Sequence, residues 1–282
     1  MSKFTELKNV SYELNGRKIL KNINFEINKG DFISVVGPNG SGKSTFAKHL
    51  NGVLIPSCGD VTVDGKNTKN DEKLFEIRKK VGMVFQSPDN QIIASTAEEE
   101  IAFGLENLCV PVCKIKEKIS SALEEVGLGG FEKSLTHTLS GGQKQRLNIA
   151  SVYAMMPEMI VFDEPTSMLD PEGRKAILRL IKKLNENEGI TVVLITHFMS
   201  EALLSDKTVL IENGEITKIA TPEEFFLNES CTEFISPTQS AEILFFLKDL
   251  GKDLGFDVSL EAFSEEQCAN EIIKILSSGV RK

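Results

Sequence analysis

Short apolar runs separated by turn residues dominate the first part of the chain. Strand-like runs at residues 10–14 and 19–27 flank the dipeptide Asn15-Gly16, and this order predicts a β-hairpin. A more continuous apolar run follows at residues 32–36, which is typical of a strand buried on both faces. The chain therefore begins with β structure that leads into a buried sheet.

Runs with little polar content recur later, at residues 81–85, 159–162 and 191–196, and each predicts another buried strand. Strand patterns vanish from residue 96 to residue 156, where a helix start at Thr96 and a helical pattern at 115–126 replace them. Strands and helices in this order predict an α/β core that carries an antiparallel β subdomain. We expect a helical subdomain inserted into this core at about residues 87–156.

The pattern changes again near Pro222, where strand runs give way to amphipathic helical stretches at residues 241–250 and 265–276. These stretches either fold back on the core or form a small helical domain that pairs with a partner, and the residues alone leave both alternatives open. We predict two domains, at residues 1–220 and 221–282, and the second is helical; its role in dimerisation is implied only by the family resemblance described below.

Composition narrows the class of partner and compartment. The 282 residues carry a net charge of −9, and no dense cluster of lysine and arginine interrupts the acidic balance, which argues against a nucleic-acid partner. No apolar run approaches the ~18 residues that a membrane span needs. Five cysteines include no C-x-x-C pair and are odd in number, a pattern that indicates a reducing cytosol rather than a disulfide framework or a metal site.

A glycine-rich segment lies between the apolar run at residues 32–36 and a helical pattern at 46–50. It consists of Gly37, Pro38, Asn39, Gly40, Ser41, Gly42, Lys43, Ser44 and Thr45. A G-x-x-x-x-G-K-S pattern between a strand and a helix is typical of a phosphate-binding loop, since its backbone N–H groups surround an anion at a helix N-terminus. We expect Lys43 to reach the β- and γ-phosphates of a nucleoside triphosphate and Ser44 to bind Mg²⁺.

Two carboxylates follow a later strand. Asp163 and Glu164 come directly after the apolar run Met159-Ile160-Val161-Phe162. A carboxylate at the end of such a strand is the usual partner of a phosphate loop in holding Mg²⁺, so we assign Asp163 to the metal. Glu164 then becomes the candidate general base for an attacking water.

Three further residues are candidates because of their position. His197 ends a buried strand at the edge of the sheet that also carries Lys43 and Asp163, and Gln86 lies at the end of another strand. Tyr12 either packs on the face of a sheet or offers a surface on which adenine stacks.

A Ser-Gly-Gly-Gln segment at Ser140, Gly141, Gly142 and Gln143 begins a helix, where it could bind an anion. On its own, this segment is equally consistent with a simple helix cap.

Taken together, these motifs resemble the ATPase subunit of an ATP-binding-cassette (ABC) transporter over about residues 3–220. Residues 37–45 look like its Walker A, 139–143 its signature, 160–164 its Walker B with the catalytic glutamate, and 167–170 its D-loop. Gln86 and His197 resemble its Q-loop glutamine and switch histidine. The resemblance implies a P-loop NTPase fold with a RecA-like core, and it implies ATP and Mg²⁺ as cofactors.

The resemblance also implies a second chain. In this family two cassettes face each other head to tail, so that Ser140, Gly141, Gly142, Gln143 and Asp170 of one chain close on the ATP of the other. It further implies that Gln86 contributes to the metal site and that Tyr12 stacks the adenine. The working dimer is either a homodimer or a pair of two different ATPases.

A narrower resemblance is to the energy-coupling-factor (ECF) group of importers. The segments at residues 81–92 and 166–171 are similar to that group's extended Q-loop and D-loop, and they favour the first of its two ATPase types. This implies uptake of a vitamin or transition-metal ion, with a transmembrane coupling subunit and a substrate-binding membrane subunit as partners, at the cytoplasmic face of the membrane. The alternative is a soluble ABC-type ATPase that acts in DNA repair, ribosome function or cofactor assembly.

Overall fold

The computed structural model describes residues 3–227 and, beyond them, Ile273 alone. The predicted hairpin forms the start of a four-stranded antiparallel sheet of order β2-β1-β4-β5. Asn15 and Gly16 both have positive φ angles, as a two-residue turn between paired strands requires. The strands are β1 (Lys3–Leu14), β2 (Arg17–Asn28), β4 (Cys58–Val63) and β5 (Lys66–Asn67).

A six-stranded sheet of order β10-β9-β3-β8-β7-β6 forms the core, and all neighbours are parallel except the edge pair β9 and β10. Since parallel strands end at the same edge, the residues that follow β3, β6, β7 and β8 lie together. The strands are β3 (Phe32–Val36), β6 (Val81–Val84), β7 (Met159–Asp163), β8 (Thr191–Ile195), β9 (Lys207–Glu212) and β10 (Glu215–Ala220).

Helices cover both faces of this sheet, and three of them lie in the chain between β6 and β7. The α-helices of the described residues are α1 (Lys43–Leu50), α2 (Asp71–Lys80), α3 (Ala97–Asn107), α4 (Val112–Glu125), α5 (Gly141–Ala154), α6 (Pro171–Glu186), α7 (Met199–Ala202) and α8 (Pro222–Leu227). The three between β6 and β7 are α3, α4 and α5. The helix expected at residues 115–126 thus begins three residues earlier. The amphipathic stretch at 241–250 lies outside the described residues, and so does the stretch at 265–276 apart from Ile273.

Successive side chains of the core strands lie alternately in two apolar layers, one on each face of the sheet. Phe162 and Leu194 pack with α3, α4, α5 and α6, whereas Val161 and Val193 pack with α1 and the antiparallel sheet. All four side chains are fully buried. This double burial explains why the core strands are nearly continuous apolar runs in the sequence.

Candidate functional site

The phosphate loop connects β3 to α1 along a path that only glycine can follow. Gly37, Gly40 and Gly42 have φ angles of 147°, 77° and 109°. A Cβ on Gly37 would lie 2.1 Å from the carbonyl oxygen of Ile211, so this position also needs the missing side chain. Gly42 precedes α1 without a side-chain cap, which leaves the N–H groups of the first turn available to an anion.

Lys43 is held inside this loop. Its side chain is only 5% exposed, and Nζ donates to the carbonyl oxygens of Gly37 at 2.8 Å and Pro38 at 2.9 Å. Burial lowers the pKa of Lys43, although the nearby carboxylates of Glu164 and Asp163 act in the opposite direction. The Oγ of Ser41 is buried without a hydrogen-bond partner. Loop and lysine therefore present buried donors that a phosphate would satisfy.

Ser44 and Asp163 meet where α1 faces the end of β7. Ser44 Oγ donates to Asp163 Oδ1 at 2.8 Å, and Asp163 is 6% exposed. Burial raises the pKa of Asp163, and the neighbouring charge of Glu164 acts in the same direction, whereas the Ser44 hydroxyl and the charges of Lys48 and Lys43 act against it. In the described part of the chain, no group of three or more His, Cys, Asp or Glu side chains is arranged so that it could hold a metal ion. A hydroxyl and one carboxylate nevertheless suit Mg²⁺, which takes few protein ligands and keeps phosphate oxygens and water.

Glu164 is the meeting point of two side chains from neighbouring strand ends. Gln86 Nε2 donates to Glu164 Oε2 at 3.1 Å, and His197 Nδ1 lies 3.3 Å from the same oxygen. The backbone of Glu164 has a φ angle of 49°, in the left-handed region. The structure therefore brings together the predicted base, the predicted Q-loop glutamine and the predicted switch histidine. It places Gln86 on Glu164 rather than on Ser44 or Asp163.

Tyr12 lies on β1, half-buried, with its ring edge-on to His49 at a centroid distance of 4.9 Å. His49 is fully buried in α1, and its Nδ1 lies 2.7 Å from the carbonyl oxygen of Thr45. A carbonyl only accepts, so Nδ1 carries the hydrogen, and burial lowers the pKa of His49. A neutral histidine on α1 therefore contacts the Tyr12 ring. No pattern in the sequence predicts this contact.

The Ser-Gly-Gly-Gln segment forms the N-terminus of α5. Ser140 Oγ accepts from the N–H of Gln143 at 3.3 Å, and Gln143 Oε1 accepts from the N–H of Ser140 at 2.8 Å. Asp170 caps α6 in a similar way through the N–H of Gly173. In the part of the chain that the structure describes, no hydrogen bond or ion pair joins either cap to the phosphate loop. These predicted residues are therefore not brought to the site within one chain.

Sequence reasoning missed two sets of contacts around the site. A buried carboxylate, Glu201, accepts hydrogen bonds from Thr166 and Thr196. Separately, Lys144 Nζ of α5 contacts Asp89 Oδ1 at 2.6 Å beyond the Q-loop glutamine. Thr166 and Lys144 lie far along the chain from their partners, so no local spacing pattern could have revealed those contacts, whereas Thr196 and Glu201 are five residues apart across a short loop.

Comparison with known proteins agrees with this geometry. The family model described as ABC transporter matches residues 20–167. The energy-coupling factor transporter ATP-binding protein EcfA1 of Clostridium novyi is 44% identical over 260 residues, which cover 90% of this chain and 93% of the relative. The EcfA1 protein of Caldanaerobacter subterraneus is 45% identical over 253 residues, covering 89% and 91%. The chain belongs to the ECF-type ATP-binding proteins of the ABC transporter family.

Solved structures support the same fold for this ABC ATPase. The cbiO1 protein of Clostridium perfringens, described as part of the ABC transporter complex cbiONQ, superposes with a TM-score of 0.77 at 29% identity, covering 91% of this chain and all of that one. The cassette MJ0796, solved as a dimer bound to ADP and Pi, gives a TM-score of 0.69 at 33% identity, covering 77% and 98%. The predicted fold class and ATPase activity are confirmed, and ATP is the nucleotide.

In the described part of this ABC ATPase, no helix combines the length and apolar character that crossing a membrane requires.

Proposed function

We propose that this ABC ATPase hydrolyses Mg²⁺-ATP between two ATPase subunits and thereby drives the uptake of a vitamin or a transition-metal ion. The observation that carries the proposal is the contact of Gln86 and His197 with one oxygen of Glu164. This cluster lies at the strand edge that also holds the phosphate loop, so a base and its two polar partners face the bound phosphates.

The phosphate loop binds the triphosphate, and Tyr12 stacks the adenine. The N–H groups of residues 37–45 surround the β- and γ-phosphates at the N-terminus of α1. Lys43 exchanges its two carbonyl partners for phosphate oxygens, and the buried Ser41 hydroxyl gains an acceptor. Binding thus satisfies groups that folding has already desolvated.

Mg²⁺ is held by the Ser44 hydroxyl and by Asp163, directly or through water. Their contact of 2.8 Å supports this assignment, because the hydroxyl and the carboxylate oxygen are close enough to bind the same ion. Gln86 joins this site from the other side, where it senses the γ-phosphate. The cation, when bound, neutralises charge on the phosphate oxygens as the terminal bond breaks.

Glu164 accepts a proton from the attacking water, and His197 contacts the γ-phosphate. A carboxylate that accepts a hydrogen bond from Gln86 and lies 3.3 Å from His197 is oriented before the substrate arrives, which reduces the reorganisation that hydrolysis needs. Gln86 would then be available to the attacking water and to the metal site.

The second half of the site comes from another ATPase subunit. Ser140 and the N–H groups of Gly141 and Gly142 form a helix terminus that favours anions. Within the described part of its own chain, this terminus makes no hydrogen bond or ion pair with the phosphate loop. Gln143 orders this terminus, and Asp170 lies at the same interface. The dimeric state of the MJ0796 cassette supports such pairing. The partner is either a second copy of this chain or a different ATPase, as in a paired heterodimer.

We propose two kinds of membrane subunit as further partners of this chain. A transmembrane coupling subunit and a substrate-binding membrane subunit place this chain at the cytoplasmic face of the membrane, and the substrate-binding subunit selects the cargo. The names of the ECF relatives and the cbiONQ complex of the cbiO1 structure support this arrangement. Purification from solubilised membranes should recover the chain with a multi-span protein. Recovery with soluble partners alone would favour the rival ATPase that is not coupled to transport.

The base is tested by the substitution Glu164→Gln. It keeps the size of the side chain and its contact with His197 but removes the proton acceptor, so we expect ATP binding to persist and turnover to fall about 10²-fold or more. Nucleotide titration and phosphate release measure the two effects. Glu117→Gln, an exposed change on α4, is the matched control. Unchanged hydrolysis in Glu164→Gln would contradict the assignment.

A further inference from the structure

A buried carboxylate on α7 connects the two loops that carry the hydrolytic residues. Glu201 is fully buried, its Oε1 accepts the hydroxyl of Thr166 at 2.6 Å, and its Oε2 accepts the hydroxyl of Thr196 at 2.6 Å. Thr166 lies two residues after Glu164, and Thr196 immediately precedes His197. One side chain therefore holds both loops at positions next to the site.

The hydrogen bonds in this cluster have a defined direction. Thr196 Oγ1 accepts the N–H of Phe198 at 3.0 Å, so its own hydrogen is free to donate to Glu201. Both oxygens of Glu201 then act as acceptors, which is the arrangement that an ionised carboxylate requires. Burial raises the pKa of Glu201, and the two hydroxyls together with the charges of Arg174 and His197 counteract that shift.

Arg174 extends the cluster to the residue after the histidine. Its Nε lies 3.8 Å from Glu201 Oε1, and its guanidinium stacks over the Phe198 ring at 3.6 Å. Phe198 in turn lies against His197, with ring centroids 4.0 Å apart. The loop that carries His197 is therefore fixed both through its backbone and through the ring beside it.

We propose that Glu201 is a positioning residue for ATP hydrolysis, because it sets the distance between Glu164 and His197. The inference rests on the proposed roles of those two residues, whose side chains lie 3.3 Å apart. Glu201 is fully buried and accepts its hydrogen bonds from Thr166 and Thr196, so it acts through these two threonines. Fixing the loops in this way keeps the base and the histidine in register, and a misplacement of about 1 Å lowers the rate of an oriented reaction about 10²-fold.

Folding stability alone gives a poor account of this cluster. A buried carboxylate must be desolvated, and replacing such groups with apolar side chains is often neutral or stabilising. What the carboxylate supplies is direction, since its two oxygens accept from two separate loops at once.

The test uses isosteric variants of Glu201 and of its two threonine partners; Thr196→Val also loses the hydrogen bond from the N–H of Phe198. Thr166→Val and Thr196→Val delete a hydroxyl, and Glu201→Gln replaces one acceptor oxygen with a donor. We expect each to lower kcat about 10- to 100-fold while KM for ATP stays within about twofold. Thr166→Ser and Thr196→Ser retain the hydroxyl and should restore kcat to within about threefold of wild type.

Thr136→Val is the matched control for the threonine variants. Thr136 is also buried, and its hydroxyl donates to the carbonyl oxygen of Ala94 at 2.8 Å, away from Glu164 and His197. We expect its kcat to match wild type even if its unfolding temperature falls. An equal loss of kcat in Thr136→Val would show a general effect of destabilisation and overturn the proposal.

Combination with Glu164→Gln separates positioning from an independent role. If Glu201 acts through the base, Glu201→Gln should add less than about twofold to the loss already caused by Glu164→Gln, whereas independent losses would multiply. Multiplying losses would overturn the proposal. Wild-type kcat in all three single variants, with Glu164→Gln still inactive, would overturn the role of Glu201 but leave the hydrolytic site intact. An active Glu164→Gln would instead overturn the site itself.

Discussion

The environment of Lys43 has consequences for how nucleotide affinity depends on pH. Its ammonium is buried, and only two backbone carbonyls contact it in the described structure. Burial lowers its pKa in the nucleotide-free protein, whereas a bound triphosphate would raise it again because the charged form pairs with phosphate. Nucleotide binding and protonation of Lys43 are therefore linked.

We accordingly predict that ATP affinity weakens as the pH rises through the lowered pKa of Lys43. The phosphates bind the ammonium and not the neutral amine, so loss of one proton should weaken affinity by up to about tenfold per pH unit above that pKa. Titration calorimetry between neutral and alkaline pH measures this, with circular dichroism confirming that the protein stays folded. Lys43→Gln should bind weakly at every pH. A wild-type affinity that does not change with pH would contradict the linkage.

Local spacing predicted the residues of the site far better than their contacts. Lys43, Ser44, Asp163 and Glu164 follow from the glycine pattern and from acids at a strand end, because both features are encoded in short segments. The contact of His49 with Tyr12 could not be predicted in this way, since it joins residues from different parts of the fold. Chemistry carried by one segment is visible in sequence, and chemistry assembled by packing is not.

At the scale of elements, two helices of the inserted segment begin with the same device. Thr96 and Glu99 form a capping box at the start of α3, and Ser140 and Gln143 form one at the start of α5. Each box satisfies two N–H groups that would otherwise lack partners, and loss of the cap oxygen costs about 1 kcal/mol. The pair allows capping to be separated from phosphate binding.

We predict that Thr96→Ala and Ser140→Ala lower the free energy of unfolding by similar amounts, about 1 kcal/mol each. Only Ser140→Ala should also lower ATP turnover, because its hydroxyl is needed at the phosphate of a partner subunit. Urea unfolding and phosphate-release assays measure the two effects. Equal turnover in both variants would show that Ser140 serves only as a cap.

The strand pattern was accurate in the core and incomplete at the antiparallel sheet. The core strands are buried on both faces, so their apolar runs matched the observed strands closely. β1 spans twelve residues and begins seven residues before the expected run at 10–14, whereas β2 extends the expected run at 19–27 by only three residues. Register shifts between Leu7 and Val10, with Asn9 and Asn22 at positive φ, interrupt the alternation that a pattern search relies on.

At the scale of the whole molecule, each chain carries one phosphate loop and one signature helix. If two such chains pair head to tail as we propose, two sites form, and each takes its two halves from different subunits. The sequence could imply this arrangement only through the family resemblance, because no physical pattern in one chain specifies a contact with another.

A complementation experiment tests the sharing of sites. Lys43→Ala and Ser140→Ala should each be inactive alone, because every site in either homodimer lacks one essential group. Mixed in equal amounts, half of the dimers contain both variants and each of these has one complete site, so turnover should recover to about a quarter of wild type. Dimers that form without recovery would contradict sharing between two copies and indicate a site shared with a different ATPase subunit.

The backbone of Glu164 suggests that hydrolysis is maintained at the expense of robustness. A left-handed conformation costs a residue with an ordinary side chain roughly 1–2 kcal/mol, and asparagine tolerates it better. We therefore expect Glu164→Asn to raise the melting temperature by about 2–4 °C per kcal/mol recovered, in a protein that no longer turns over ATP. A lower melting temperature in a scanning calorimeter would contradict this. Selection for thermal stability alone would favour loss of the catalytic carboxylate. Glu164 at this backbone position therefore reflects a requirement for activity and not for stability.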